Sequence, residues 1–122
     1  MFTRTKSFLA SLAVLTSMFF SINSNAGPVG GSQRGTDRVW AYDSEFYTVN
    51  IRGGEATQVA IIGDHDTDLD LFIYDEDGNL VASDEDGTDT CYAAVTARFG
   101  TKIIIEVRNL GRVYNDFEIS VW

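Results

Sequence analysis

The stretch DHDTDLDLFIYDEDGN, Asp64 to Asn79, decides how this chain is interpreted, because it combines a strand pattern with a high density of acidic residues. Its sixteen residues include six aspartates and one glutamate around the apolar run Leu69–Tyr74. Successive side chains of a strand point to opposite faces of the sheet. The side chains predicted to face a core are Leu69, Leu71 and Ile73, and those predicted on the other face are Asp68, Asp70, Phe72 and Tyr74.

Strand and turn signals continue on both sides of this run. Asp77-Gly78 is a strong hairpin signal, so Asp75 to Asn79 is predicted to be a turn that needs no metal. Apolar residues do not recur at a 3.6-residue helical period, and the segment 57–62 is apolar enough to be buried on both faces. The seven predicted strands are 45–52, 57–62, 69–74, 79–83, 92–98, 102–108 and 117–122. Seven short strands at this spacing predict an all-β fold, an antiparallel β-sandwich of jelly-roll type.

The first 26 residues are predicted to be a secretory signal peptide. Arg4 and Lys6 make a basic start, residues 8–20 form a short apolar run, and small residues precede a cut after Ala26. The apolar run is shorter than the ~20 residues needed to cross a bilayer. Residues 27–42, which open with four glycines and the only proline, are predicted to be a flexible leader, and residues 43–122 are predicted to be the domain. The expected location is therefore secreted or periplasmic.

Charge narrows the possible partners. Without Arg4 and Lys6, seven basic residues face eighteen acidic ones, for a formal charge of −11. Such a chain is repelled by nucleic acid and by anionic lipid, so neither is an expected partner, and cations or basic groups are electrostatically favoured. Cys91 is the only cysteine, which excludes an intramolecular disulfide. A monomer with a buried Cys91 is the simpler expectation, and a Cys91-linked dimer is the alternative.

The order of several motifs resembles a known family. These are Phe46-Tyr47 before a Gly-Gly turn, the DLDL of Asp68–Leu71, the hairpin sequence YDEDGNLVA of Tyr74–Ala82, and Phe99-Gly-Thr101 before a late β-branched strand. Together they resemble the bacterial pre-peptidase C-terminal domain, a small jelly-roll-like sandwich, over residues 43–122. Lys102 departs from the family pattern, which has an aromatic residue there, and the residues before the motifs are expected to be a signal peptide and a leader, not a peptidase domain. The resemblance implies a non-catalytic accessory or binding module.

The acidic residues before and within 69–74 are the candidate metal ligands. Asp64, Asp66, Asp68 and Asp70 share one side if the extended conformation reaches back into the preceding loop, and clustered carboxylates repel one another unless a cation screens them. Ca²⁺ accepts 6–8 oxygen ligands in loose geometry, so it is the candidate ion. The resemblance, which includes calcium-dependent members, adds Asp43 and Glu45 as possible further ligands. The alternative is that these aspartates only solvate a sheet face.

Two other functions are compatible with the sequence. Several aromatic side chains are expected to be exposed, Trp40 and Tyr42 first among them. Exposed aromatic rings of this kind predict a module that binds a carbohydrate or a matrix protein. A small secreted hydrolase is the weaker alternative, because His65 is the only histidine and would have to serve any triad from an acidic loop. No catalytic residue is predicted. The biological ligand, an unknown protein or glycan, is not identified by the sequence.

Overall fold

The computed structural model describes residues 2–4, by their backbone alone, and residues 27–122. All regular structure in these residues is β-strand. The strands are β1 (Phe2–Arg4), β2 (Gln33–Val39), β3 (Ser44–Ile51), β4 (Ala56–Ile62), β5 (Leu69–Tyr74), β6 (Leu80–Asp84), β7 (Thr90–Thr96), β8 (Thr101–Asn109) and β9 (Asn115–Val121).

The strands form two antiparallel sheets. Sheet A has the order β1-β3-β8-β5-β6, and sheet B has the order β2-β9-β4-β7. β8, with its run of β-branched residues, pairs with β3 on one side and β5 on the other, so it is the central strand of sheet A. The all-β sandwich predicted from the sequence is therefore confirmed.

The core lies between the sheets and is filled by alternate residues of each strand. In β5 these are Leu69, Leu71 and Ile73, as their alternation predicted, and each is fully buried. Tyr47, Val59 and Ile105 contribute from the neighbouring strands. Burial of side chains of this size stabilises the fold by roughly 1.5–3 kcal/mol each relative to exposure.

All seven predicted strands are present, as β3 to β9, and the hairpin between β5 and β6 forms as expected. Gly78 adopts φ = 88°, a conformation that glycine reaches without strain. Asp75 Oδ1 accepts hydrogen bonds from the backbone N–H groups of Asp77 (3.0 Å) and Asn79 (2.8 Å). These carboxylate contacts satisfy the turn internally.

Two strands, β2 and β4, differ from what the sequence predicted. Strand β2 lies within the expected leader 27–42 and pairs with β9 along its whole length, from Gln33 opposite Val121 to Val39 opposite Asn115. Its only large apolar residue is Val39, so its period-2 burial leaves almost no hydrophobic signal. β4, expected to be buried on both faces, alternates between buried and more exposed residues, because the outer face of sheet B is not covered.

The predicted signal peptide, residues 1–26, lies outside the described residues except for the backbone of β1. That backbone pairs with β3, Phe2 opposite Val49 and Arg4 opposite Tyr47. In the part of the chain that the structure describes, there is no helix long and apolar enough to span a bilayer.

Candidate functional site

The acidic residues at the start of β5 contain two enclosed carboxylate oxygens that have no hydrogen-bond partner. Asp70 points away from the core, as predicted, yet it is only 6% exposed. Its Oδ1 atom is buried and unpartnered, and so is the Oδ1 atom of Asp68. A buried polar atom without a partner costs roughly 1–3 kcal/mol, more when it is charged, so such atoms are rare in folded proteins. We call Asp68 and Asp70 the carboxylate pair.

The arginine opposite Asp70 hydrogen-bonds to a different carboxylate. Arg108 of β8 lies directly opposite Asp70 in the strand register. Its Nε and Nη2 atoms nevertheless donate to Glu106, two residues away on the same strand, at 3.0 and 3.3 Å. The Arg108 guanidinium also lies over the ring of Phe72, 4.3 Å from the centroid, a cation–π contact that holds it in this position.

Glu106 is as buried as Asp70 but fully satisfied. Besides Arg108, Glu106 accepts hydrogen bonds from Ser44 Oγ (2.6 Å) and from the Tyr74 hydroxyl (2.7 Å). Burial acts to raise the pKa of Glu106, but the hydrogen bonds from Arg108, Ser44 and Tyr74 outweigh it and hold the pKa below its ordinary value. This carboxylate is therefore a structural one.

The carboxylate pair has the opposite electrostatics. Burial, together with the charges of Asp68 and Glu85, raises the pKa of Asp70 to about 6, and the Arg108 charge offsets only part of this. Burial and the charges of Asp86 and Asp89 likewise raise the pKa of Asp68. A cation placed here would relieve both the desolvation and the repulsion.

Glu85 and Asp86 also place negative charge near the carboxylate pair, although neither was a candidate ligand in the sequence. They follow β6, whose last residue, Asp84, pairs with Leu71. The hairpin register therefore brings the end of β6 back to the start of β5, and the Asp77-Gly78 turn signal was sufficient to predict that return.

Asp64 and Asp66 do not continue the strand, contrary to the expected extended conformation. His65 has φ = 71°, which turns the chain. Asp64 then accepts hydrogen bonds from the backbone N–H of Asp66 (3.1 Å) and of Asp116 on β9 (2.8 Å). Asp64 thus caps the sheet B side of the molecule, whereas the carboxylate pair lies on the outer face of sheet A.

Asp43 and Glu45 also have other surroundings. Asp43 Oδ1 accepts a hydrogen bond from the backbone N–H of Ser44 at 2.8 Å. Glu45 is buried at the inward-facing positions of β3, in alternation with Tyr47. Their role as calcium ligands remains a prediction.

The pair fits a cation in part. Among the residues that the structure describes, no three His, Cys, Asp or Glu side chains are grouped so as to hold a metal ion. The two orphaned oxygens of Asp68 and Asp70 are nonetheless the hard donors that Ca²⁺ prefers, and Ca²⁺ in proteins completes its shell with water and backbone carbonyls. Of the six candidate carboxylates, Asp68 and Asp70 are the two with an orphaned oxygen, and the role of the other four as ligands remains a prediction.

The groups considered for catalysis do not form a nucleophile–base pair. His65 is 80% exposed, and its Nδ1 atom lies 3.3 Å from Asp89 Oδ1. Cys91 is buried in β7, as the simpler expectation held, and its Sγ donates to the Leu69 carbonyl at 3.1 Å. Burial raises the pKa of the Cys91 thiol to about 12, so the thiol is unreactive in the fold. An intermolecular disulfide at Cys91 would require the sandwich to open.

The aromatic side chains expected to be exposed are exposed. Trp40 and Tyr42 are 57% and 69% exposed. Trp40 packs edge-to-face with Tyr114 at 5.7 Å between ring centroids, and the Arg38 guanidinium sits 3.9 Å from the Tyr114 ring. Arg38 is in turn held by Asp116, with Nε 2.6 Å from Oδ1. This cluster is therefore filled by its own side chains.

A second aromatic pair lies on the outer face of sheet B. Tyr92 and Trp122 are 6.4 Å apart with their planes tilted by 45°. The sequence alone does not predict that these two rings lie close together, because their proximity depends on β4 lying between β7 and β9.

Comparison with known proteins identifies the fold. No family model and no curated protein matches the sequence significantly. Among solved structures, the chain is similar to the pre-peptidase C-terminal domain of a collagenase from Bacillus anthracis, with a TM-score of 0.59 and 16% identity over 73% of this chain and 89% of that one. It is also similar to PliG of Aeromonas hydrophila, a periplasmic lysozyme inhibitor of g-type lysozyme, with a TM-score of 0.50 and 15% identity over 84% of this chain and 93% of that one. The fold is thus that of a pre-peptidase C-terminal domain, as the sequence motifs predicted.

Proposed function

We propose that this chain is a secreted or periplasmic, non-catalytic binding module. We further propose that a divalent cation, Ca²⁺ in the first place, binds at the Asp68–Asp70 carboxylate pair and stabilises the folded protein. The observation that carries the cation site is the buried, unpartnered Oδ1 atom of Asp70, opposite an arginine that is bonded elsewhere. The role as a binding module is supported by the fold and by the two similar proteins, a domain of a collagenase and a lysozyme inhibitor.

Electrostatics favours this assignment over a purely solvating role for the pair. A solvating aspartate is exposed and hydrogen-bonded to water, whereas Asp70 is enclosed and Asp68 partly so. Keeping two such carboxylates ionised near Glu85 and Asp86 costs free energy that a bound cation recovers. Extracellular calcium modules bind in the range of about 10⁻⁴ to 10⁻³ M, so millimolar Ca²⁺ is the relevant concentration.

Thermal unfolding with and without Ca²⁺ tests the cation site. We expect 10 mM Ca²⁺ to raise the unfolding midpoint by about 5 °C or more relative to excess chelator, because a ligand that binds only the folded state stabilises it by mass action. Asp70→Asn keeps the shape of the side chain and removes its charge, so this variant should lose the Ca²⁺ response.

Asp77→Asn is the matched control, because Asp77 is an exposed carboxylate of the β5–β6 turn whose side chain is not needed for the turn. It should keep the full response. An equal Ca²⁺ response in wild type and Asp70→Asn, or none in wild type, would contradict the proposed site.

A further inference from the structure

The outer face of sheet B carries an exposed patch made of residues from β4, β7 and β9. Strand register places Gln58 beside Trp122, and Ala60 between Ser120 and Tyr92. We call this patch the aromatic face: Gln58, Ala60, Tyr92, Ala94, Ser120 and Trp122. None of these residues is buried, so both the rings and the floor between them are accessible.

The Tyr92 ring is held by a side-chain hydrogen bond, and Trp122 is held by its backbone and by contact with the Tyr92 ring. The Tyr92 hydroxyl donates to Gln58 Oε1 at 2.6 Å. The backbones of Gln58 and Trp122 exchange hydrogen bonds at 2.8 and 3.0 Å. Tyr92 is 51% and Trp122 is 40% exposed. Rings that are already ordered lose little conformational entropy when a ligand stacks on them.

The floor of the face is made of small side chains. Ala60, Ala94 and Ser120 are the small neighbours of Gln58, and the adjacent long side chain, Arg34 of β2, lies opposite Ser120 and pairs with Glu118. Because its Oε1 atom already accepts from Tyr92, Gln58 can present its amide N–H groups to a ligand. The patch thus offers two aromatic surfaces with a polar planar group between them.

Charge selects the class of ligand. The charged pair beside the patch, Arg34 and Glu118, lies 3.6 Å apart and is internally neutralised. The chain as a whole is strongly acidic, which disfavours an anionic polymer. Sugar rings present an apolar C–H face that stacks on aromatic rings and hydroxyls that bond to amides.

We propose that the aromatic face binds a neutral polysaccharide, which stacks on Tyr92 and Trp122 and donates or accepts hydrogen bonds at Gln58. The proposal rests on the role as a binding module but not on the cation site. The Trp40 cluster is a poorer platform, because Arg38 already covers the Tyr114 ring.

Retention on insoluble polysaccharides tests the proposal, with cellulose, chitin and a β-1,3-glucan as neutral probes and immobilised heparin as the anionic probe. All four are assayed with chelator present, so that the result does not depend on Ca²⁺. We expect retention on at least one neutral probe and none on heparin. Tyr92→Ala and Trp122→Ala should each weaken retention at least about tenfold, whereas Tyr92→Phe, which keeps the ring, should lose much less.

Phe99→Ala is the matched control, because Phe99 is a 77% exposed aromatic residue in the turn before β8 and is not part of the aromatic face. It should be retained like wild type. The proposal is overturned if no neutral probe retains the protein, if heparin retains it more strongly, or if both alanine variants at the aromatic face are retained like Phe99→Ala. Unfolding midpoints of all variants, which should match wild type within a few degrees, exclude loss of fold.

Discussion

Asp70 and Glu106 are two carboxylates on the same outer face of sheet A, on adjacent strands, and almost equally buried at 6% and 5% exposure. Glu106 accepts hydrogen bonds from Ser44, Tyr74 and Arg108, and its pKa is lowered. Asp70 has an orphaned oxygen, and its pKa is raised.

The difference between the two lies in the supply of donors, not in burial. Arg108 is opposite Asp70 in the register, yet its guanidinium bonds to Glu106 and stacks on Phe72. In this arrangement Arg108 hydrogen-bonds to Glu106 and leaves Asp70 Oδ1 without a donor, and the other charged neighbours of Asp70 are acidic. Glu106 therefore stabilises the apo fold, whereas Asp70 needs a proton or a cation from outside.

Truncation of the two carboxylates should separate them most clearly. Glu106→Ala should destabilise the protein by about 3 kcal/mol, because it leaves Tyr74, Ser44 and Arg108 without their acceptor. Asp70→Ala, measured with chelator, should be close to neutral, because the lost packing is offset by removal of an unpaired charge. Chemical denaturation at pH 7 measures both free energies of unfolding. Equal losses for the two variants would contradict the comparison.

The pH dependence of stability should show the same contrast with opposite signs. The folded-state pKa of Asp70, about 6, lies above the ordinary value of 3.8, so its contribution is fully present below about pH 3.8 and is lost as the pH rises through about 6. Glu106, with a lowered pKa, contributes above its ordinary value of 4.5 and loses that contribution as the pH falls below it.

Without divalent cations, wild type should therefore gain about 1.3 kcal/mol relative to Asp70→Asn between pH 7 and pH 5. Denaturation curves of the two proteins at pH 7, 6 and 5 give this difference directly. A constant difference across this range would mean that Asp70 is not perturbed by its surroundings.

Removal of one hydrogen bond should have the smallest effect. Tyr74→Phe takes away a single donor to Glu106 and should cost about 1 kcal/mol. Tyr42→Phe, at an exposed tyrosine in the turn before β3, is the matched control and should be neutral within about 0.5 kcal/mol. If the two variants behave alike, the Tyr74 hydroxyl is not part of a stabilising network.

The sequence predicted the strands whose burial alternates with apolar residues, but not β2. The Leu69, Leu71 and Ile73 alternation was sufficient to place β5 correctly. In β2 the alternation is carried mainly by Gln33, Gly35 and Asp37, which have no hydrophobic pattern, so only pairing with β9 identifies it as a strand.

Strand alternation predicted the position of the candidate site correctly only for the residues in or next to β5. Asp68 and Asp70 do lie on the side away from the core residues of β5, but the extended conformation was continued too far back, to Asp64. The positive φ of His65 ends that continuity, and the only residue-type signal for it is weak: histidine adopts positive φ more often than most non-glycine residues. Glu85 and Asp86 add negative charge near the carboxylate pair because the β5–β6 hairpin brings them there, and the Asp77-Gly78 turn signal predicted that hairpin.

A carbon-13 NMR titration of the Asp70 side-chain carboxyl tests the central claim most directly. We expect a pKa of about 6 in chelator, and a pKa at or below the ordinary 3.8 when millimolar Ca²⁺ is present, because the cation replaces the proton. A pKa near 3.8 in chelator, or a raised pKa that Ca²⁺ does not move, would contradict a cation site at Asp70.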